Sequence, residues 1–174
     1  VPQDRPQGTP RMFADGRFYT ENRKARFVAV IPRGPFNEKD SEYPLALNTG
    51  RVRDHWHTLT RTGQSARLSS HIVEPFAEIH PQDARQYGIK DGTLVTLTTH
   101  WGEMLARANV TEAQRPGSVF APMHWNDQYA RRARADALVN TVTDPVSGQP
   151  EFKHTPVYIA PYPATSHAFL LSSR

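Results

Sequence analysis

No cysteine occurs anywhere in the sequence, which excludes disulfides, thiolate metal sites and thiol nucleophiles from this chain. No apolar run approaches the roughly 20 residues that a membrane-spanning helix needs. The opening VPQDRPQGTP lacks the basic and apolar regions of a signal peptide, and a soluble protein is expected. There is no Gly-rich phosphate loop, no G-x-S-x-G elbow and no G-x-G-x-x-G fingerprint, so the common ATPase, hydrolase and dinucleotide-fold chemistries lack support. The chain does not begin with Met, and the expectation is a fragment of something longer. Apolar residues are also sparse, at 37% of the chain with a mean hydropathy of −0.64.

What is present in excess is proline, 15 in 174 residues, which favours turns and short extended segments over long helices. The 21 Lys and Arg outnumber the 17 Asp and Glu for a net charge of +4. Attraction to a phosphate-bearing partner is plausible on that balance, and a modest excess does not establish one.

Apolar alternation predicts a strand at ARFVAVIP, Ala25 to Pro32, then short strands at Tyr43 to Asn48 and Phe76 to Ile79. Pro81 sits where a helix can begin, Asp83 suits its N-terminal dipole, and Gly88 is a stop signal. Thr93 to Thr99 and Met104 to Val110 read as a hairpin turning near Trp101-Gly102, with further strands at Ser118 to Pro122 and Phe152 to Tyr162. A short helix is expected around Gln128 to Val139. About six or seven short strands with one or two small helices make a mainly β, barrel-like domain the natural architecture. Residues 1–42 read as an arm or linker, 43–160 as the domain, and 161–174 as a tail.

The chemistry concentrates in TGRVRDHWHT, Thr49 to Thr58. Arg51 and Arg53 can fork to phosphate, Thr49 and Thr58 add hydroxyls, and Trp56 offers a flat face to a heterocycle. A nucleotide-containing ligand fits; a solvated basic loop with Trp56 packed into the core fits as well. His55 and His57, with His71, His80, His100 and His124, invite a metal, but the i, i+2 spacing of the first two lacks the helical i, i+4 pair with a nearby carboxylate that zinc enzymes use, and hydrogen bonding to a cofactor is preferred. The ARRARAD block, Ala130 to Asp136, could bind nucleic acid as a basic helix or be a solvated face.

The segments YPLALNTGRVRDHWHTLTRTG, EPFAEIHPQDARQYGIKDGTLVTLTTHWGEMLARANVT and RPGSVFAPMHW, in this order, closely resemble the C-terminal molybdopterin-guanine-dinucleotide-binding domain of assimilatory nitrate reductases. The resemblance runs from about Tyr43 to Tyr158, and DGRFYTENRKARFVAV resembles the segment leading into that domain. It implies a six-stranded double-psi β-barrel in which Thr49, Gly50, Arg51, Val52, Arg53, Asp54, His55, Trp56, His57 and Thr58 wall a pterin dinucleotide. Lys153 matches a basic cofactor contact, and Met123 stands where relatives have an aromatic near the substrate funnel. Asp136 matches a further cofactor contact where relatives often carry Asn, and an ionised carboxylate there accepts but cannot donate.

The resemblance further implies bis-molybdopterin guanine dinucleotide with molybdenum, only part of whose site lies here, and reduction of nitrate to nitrite in a cytoplasmic parent enzyme. A [4Fe-4S] cluster is expected only on cysteines of a missing N-terminal part, the molybdenum ligand in a missing central domain, and the isolated chain is expected not to be catalytic. The implied partners are the remaining domains and an electron donor protein or flavoprotein subunit, with no membrane. A formate dehydrogenase or another molybdopterin oxidoreductase is the within-family alternative, and a basic nucleic-acid-binding module is the alternative of another class.

Overall fold

A computed structural model describes residues 7, 8 and 10–166; the end of the expected tail, 167–174, lies outside the described residues. Two compact units are present, Val1–Arg33 and Gly34–Arg174.

The second unit is a closed barrel of six strands: β1 (Leu45–Gly50), β2 (Phe76–Ile79), β3 (Leu94–Thr98), β4 (Glu103–Val110), β5 (Ser118–Pro122) and β6 (Thr155–Pro161). Around the barrel the order is β1-β5-β2-β4-β3-β6. β1 runs parallel to β5 and β2 parallel to β4, and the other four neighbours are antiparallel. Two parallel pairings, each reached by a crossover, make this the double-psi form of the six-stranded barrel.

Period-two burial explains why these segments are strands. Along β4 the buried residues are Met104, Ala106 and Ala108, facing Leu97 and Val95 across the hairpin with β3. Leu97 lies opposite Met104 and Val95 opposite Ala106, and all four are buried in the barrel interior. Leu47, Ile79, Val119, Val157 and Ile159 complete the interior, all fully buried.

α1 (Ala66–Ser69) is a single turn, and α2 (Pro81–Gln86) follows β2. α2 has Pro at its start and His80 as cap, whose Nδ1 accepts from the Gln82 N–H at 3.1 Å. Asp83 does more than face the helix dipole: it is buried and its carboxylate accepts from the Gly117 N–H at 2.7 Å, tying α2 to the entry of β5.

Two expected elements are absent. Residues 25–32 form no strand, and Phe27 is 96% and Ile31 84% exposed; alternation alone supplies no ladder partner, and without one the segment stays unpaired. The helix expected over Gln128 to Val139 is reduced to a 3-10 turn at Ala135–Ala137. Asn126 takes the start, its Oδ1 accepting from the Gln128 N–H at 3.0 Å. The Arg132 carbonyl accepts from Leu105 of β4 at 2.6 Å instead of from its own next turn. Leu138 is then fully buried against the barrel, and its carbonyl accepts from the Thr99 hydroxyl at 2.9 Å.

Strand directions define one functional rim. β1 and β5 end side by side, Gly50 opposite Pro122, so the segments beginning at Arg51 and Met123 leave the barrel together. β6 is antiparallel to β1, with Thr155 opposite Leu47, and its entry residues Phe152 and Lys153 reach the same rim.

Candidate functional site

Four of the expected site residues, Thr49, Thr58, Met123 and Asp136, line one cavity of about 250 Å³. Trp125, Asn126, Arg134 and Phe152 share the lining. Thr49 is buried, and its hydroxyl donates to the Phe152 carbonyl at 2.9 Å. Lys153 donates from Nζ to the Thr49 carbonyl, so the entry of β6 is stitched to the end of β1 beside the cavity. Asp136 lies 3.2 Å from Arg134, which also bonds Asp127 at 3.0 Å. One guanidinium thus serves two carboxylates at the edge of the cavity.

Gly50 carries a packing requirement. A Cβ there would stand 2.7 Å from the Phe120 ring, so the missing side chain makes room for a neighbouring ring.

Beyond Gly50 the two arginines divide. Arg53 gives Nε and Nη2 to the Asp54 carboxylate at 3.0 and 3.2 Å, and His71 Nδ1 lies 2.8 Å from the same carboxylate. The Arg53 hydrogen bond, followed by that from His71, holds the Asp54 carboxyl below the usual carboxylate range. Arg51 has no carboxylate partner among the described residues; its guanidinium lies over the Trp56 ring, 4.5 Å from the centroid. Trp56 is 53% exposed, so the alternative in which it packs into the core does not hold.

His55 is buried, its Nδ1 3.4 Å from the Thr62 hydroxyl and its ring edge-on to Trp125. His57 has a positive φ of 43° and Leu59 one of 66°, a left-handed conformation uncommon for residues with a side chain. Among the described residues no cluster of three His, Asp or Glu side chains is arranged to hold a metal.

His124, outside the expected site, is fully buried. The Val52 N–H donates to its Nε2 at 2.9 Å, and its Nδ1 lies 2.5 Å from the His57 carbonyl. An Nε2 that accepts is unprotonated, so the proton sits on Nδ1 and is donated to that carbonyl. Burial pushes the pKa of His124 down, as it does that of His55. Of His124, Trp125, Asn126, Arg134 and Phe152, the sequence singles out His124 alone, and only among the histidines that invite a metal. The only sequence signal available for the first three was the MHWN stretch itself, directly after a strand that ends at the rim.

A double-psi barrel with a ligand-sized cavity at the rim where β1 and β5 end defines the class: a small-molecule-binding barrel domain. The chain belongs to the family described as "Molydopterin dinucleotide binding domain", which matches residues 45–156. It is 50% identical over 137 residues to a "Nitrate reductase" of Klebsiella oxytoca, covering 79% of this chain and 16% of that protein. It is 35% identical over 163 residues to the "Assimilatory nitrate reductase catalytic subunit" of Bacillus subtilis (strain 168), covering 92% and 22%. An "F420-dependent formate dehydrogenase 1 subunit alpha" of Methanococcus maripaludis is 36% identical over 146 residues, covering 84% and 21%. The chain thus spans 16–22% of the length of these relatives. Among solved structures, acetylene hydratase from Pelobacter acetylenicus shares the fold, with a TM-score of 0.62 at 20% identity over 70% of this chain and 19% of that one. Among the described residues no helix is long and apolar enough to cross a membrane.

Proposed function

We propose that the chain is the C-terminal molybdopterin-guanine-dinucleotide-binding domain of an assimilatory nitrate reductase, a cytoplasmic enzyme that reduces nitrate to nitrite. The observation that carries this reading is the convergence of Thr49, Thr58, Met123 and Asp136 on one cavity, with Lys153 fixed to the Thr49 carbonyl beside it.

The donor set fits an anionic, heterocycle-bearing group. Arg51 offers a guanidinium with no competing carboxylate among the described residues, stacked over the half-exposed Trp56 ring, a pairing suited to a pyrophosphate and an adjoining ring system. Trp125 and Phe152 give the cavity apolar walls, and Asp136, which shares Arg134 with Asp127, gives it an acceptor. Thr49, Gly50 and Arg51 through Thr58 form the cofactor wall, Lys153 a cationic anchor, and Met123 the edge toward the substrate funnel. When bound, the group supplies two-electron redox chemistry at molybdenum. This chain's own residues bind and orient the dinucleotide and keep water from it, while the metal ligand belongs to another domain. The isolated chain is therefore not catalytic. The remaining domains, a [4Fe-4S] cluster among them, and an electron donor protein or flavoprotein subunit complete the enzyme.

The 36% identity to a formate dehydrogenase subunit favours the second reading, the same domain in a formate-oxidising enzyme. Purified full-length protein decides between them. Nitrite formed from nitrate with reduced viologen, together with bound pterin guanine dinucleotide, is the expected result. Formate oxidation without nitrate reduction moves the assignment to the second reading. Absence of any pterin, with steeply salt-dependent retention of DNA or RNA, replaces both with a nucleic-acid-binding module.

A further inference from the structure

We propose that His124 is a positioning residue for the run Gly50 to Leu59: its imidazole is the strut that sets the run's backbone, and Met123, Asn126 and Tyr129 extend the brace. The inference rests on the cofactor role proposed for that run.

Within the run, Arg53 with Asp54 and Arg51 with Trp56 link side chains, and the backbone is almost unpaired. Among the described residues, its one internal backbone hydrogen bond is Leu59 N–H to the Trp56 carbonyl at 3.2 Å. The Thr62 hydroxyl accepts from the Trp56 N–H at 3.2 Å and the Gly63 N–H donates to the Leu59 carbonyl at 2.8 Å; the remaining support comes from the segment leaving β5. Met123 N–H donates to the Gly50 carbonyl at 2.9 Å. His124 joins Val52 and His57 through its two ring nitrogens, at 2.9 and 2.5 Å. Asn126 Nδ2 donates to the Thr58 carbonyl at 3.0 Å and the Tyr129 hydroxyl to the Leu59 carbonyl at 3.3 Å. Gly63 permits the last contact, since a Cβ there would stand 2.5 Å from the Tyr129 oxygen.

The parallel pairing of β1 with β5 makes this contact possible, because both segments start at the same rim in register. The bracing also falls where the backbone needs it. Of the two left-handed residues of the run, His57 and Leu59, the first has its carbonyl held by His124, and the second has its carbonyl shared between the Gly63 N–H at 2.8 Å and the Tyr129 hydroxyl at 3.3 Å. A conformation that residues with side chains rarely adopt persists only when its surroundings fix it. The fully buried imidazole makes its two bonds away from water, where a hydrogen bond is worth most and a missing partner costs most. A histidine that merely fills space would not need both nitrogens in register with Val52 and His57.

Substitutions separate the two nitrogens. The glutamine carboxamide can put an acceptor near the position of Nε2, and that of asparagine a donor near Nδ1. Residue-resolved amide hydrogen exchange on the full chain is the primary measurement, with pterin content of the full-length protein as the second. In His124→Leu the Val52 amide should lose about tenfold or more of its protection relative to Leu47 and Val119 in the barrel. His124→Gln should keep the Val52 protection, and His124→Asn should lose it. If the Leu variant fails to fold, the contrast between Gln and Asn still decides. Val52 protection unchanged in Leu and Asn, or falling in parallel with the barrel amides in every variant, overturns the strut. Selective loss at Val52 with pterin content unchanged from wild type overturns the link to the cofactor, and unchanged pterin content in Arg51→Ala as well moves that failure to the proposed function.

Discussion

Arg51 and Arg53 stand two residues apart with different commitments. Arg53 is engaged by Asp54, itself shared with His71, whereas Arg51 has only the Trp56 face among the described residues. In the full-length protein Arg51→Ala is expected to lower bound pterin by about tenfold, the scale of one lost charge-assisted hydrogen bond. Arg53→Ala should lower it less. Molybdenum content and fluorescence of the oxidised pterin measure both, and equal losses would refute the division. Gly50 makes a second residue-scale case, because its substitution acts through Phe120. Gly50→Ala places a Cβ 2.7 Å from that ring and should reduce stability by about 1–3 kcal/mol, the usual cost of overpacking. Urea unfolding measures this, and adding Phe120→Leu should return part of the loss.

At the scale of elements, legibility followed the presence of a local signal. β2 and β5 coincide with the segments read from alternation, Phe76–Ile79 and Ser118–Pro122, and Pro81 marks the first residue of α2. The same signal failed at residues 25–32, where alternation had no neighbouring strand to pair with. The helix expected at 128–139 failed as well, where charged side chains found partners outside that segment: Arg132 bonds Glu103 and Arg134 bonds Asp127. The run at Thr49 to Thr58 was legible by composition, but its brace was not. Val52 and His124 are separated by 72 residues, and a buried histidine after a strand carries no local mark of its partner. Asp83 illustrates the same limit, since a dipole role is readable from a helix start and a bond to Gly117 is not. Asp83→Ala should therefore cost about 1–3 kcal/mol, the penalty for stranding a partly buried N–H. Thermal unfolding tests this, and a loss of only a few tenths would leave Asp83 as a dipole residue alone.

At the scale of the whole molecule, the barrel and its rim loops fold around two buried histidines held neutral, which makes stability depend on pH with a definite sign. Burial lowers the folded-state pKa of both His124 and His55 from the ordinary 6.5. Below pH 6.5 the unfolded chain then takes up protons that the folded chain refuses, so unfolding becomes progressively easier as pH falls. Well above pH 6.5 both states are neutral at these positions and the contribution is constant. Asp54 acts in a different window: its carboxyl is lowered from 3.8 by Arg53 and His71, so the stability it provides is present above that value and lost as pH falls through the folded pKa. Urea unfolding between pH 8 and 5, a range chosen from these reference values, therefore isolates the histidines. The midpoint should hold steady down to about pH 6.5 and decline below it. His124→Gln, which removes one titrating ring, should shrink the decline even though it starts from a lower midpoint. The rise in net positive charge as the other histidines protonate acts in the same direction in both proteins, so the difference between the two curves reads His124 alone. An identical slope in wild type and variant would mean that the buried imidazole does not resist protonation, and that its environment is more hydrated than the bonds to Val52 and His57 require.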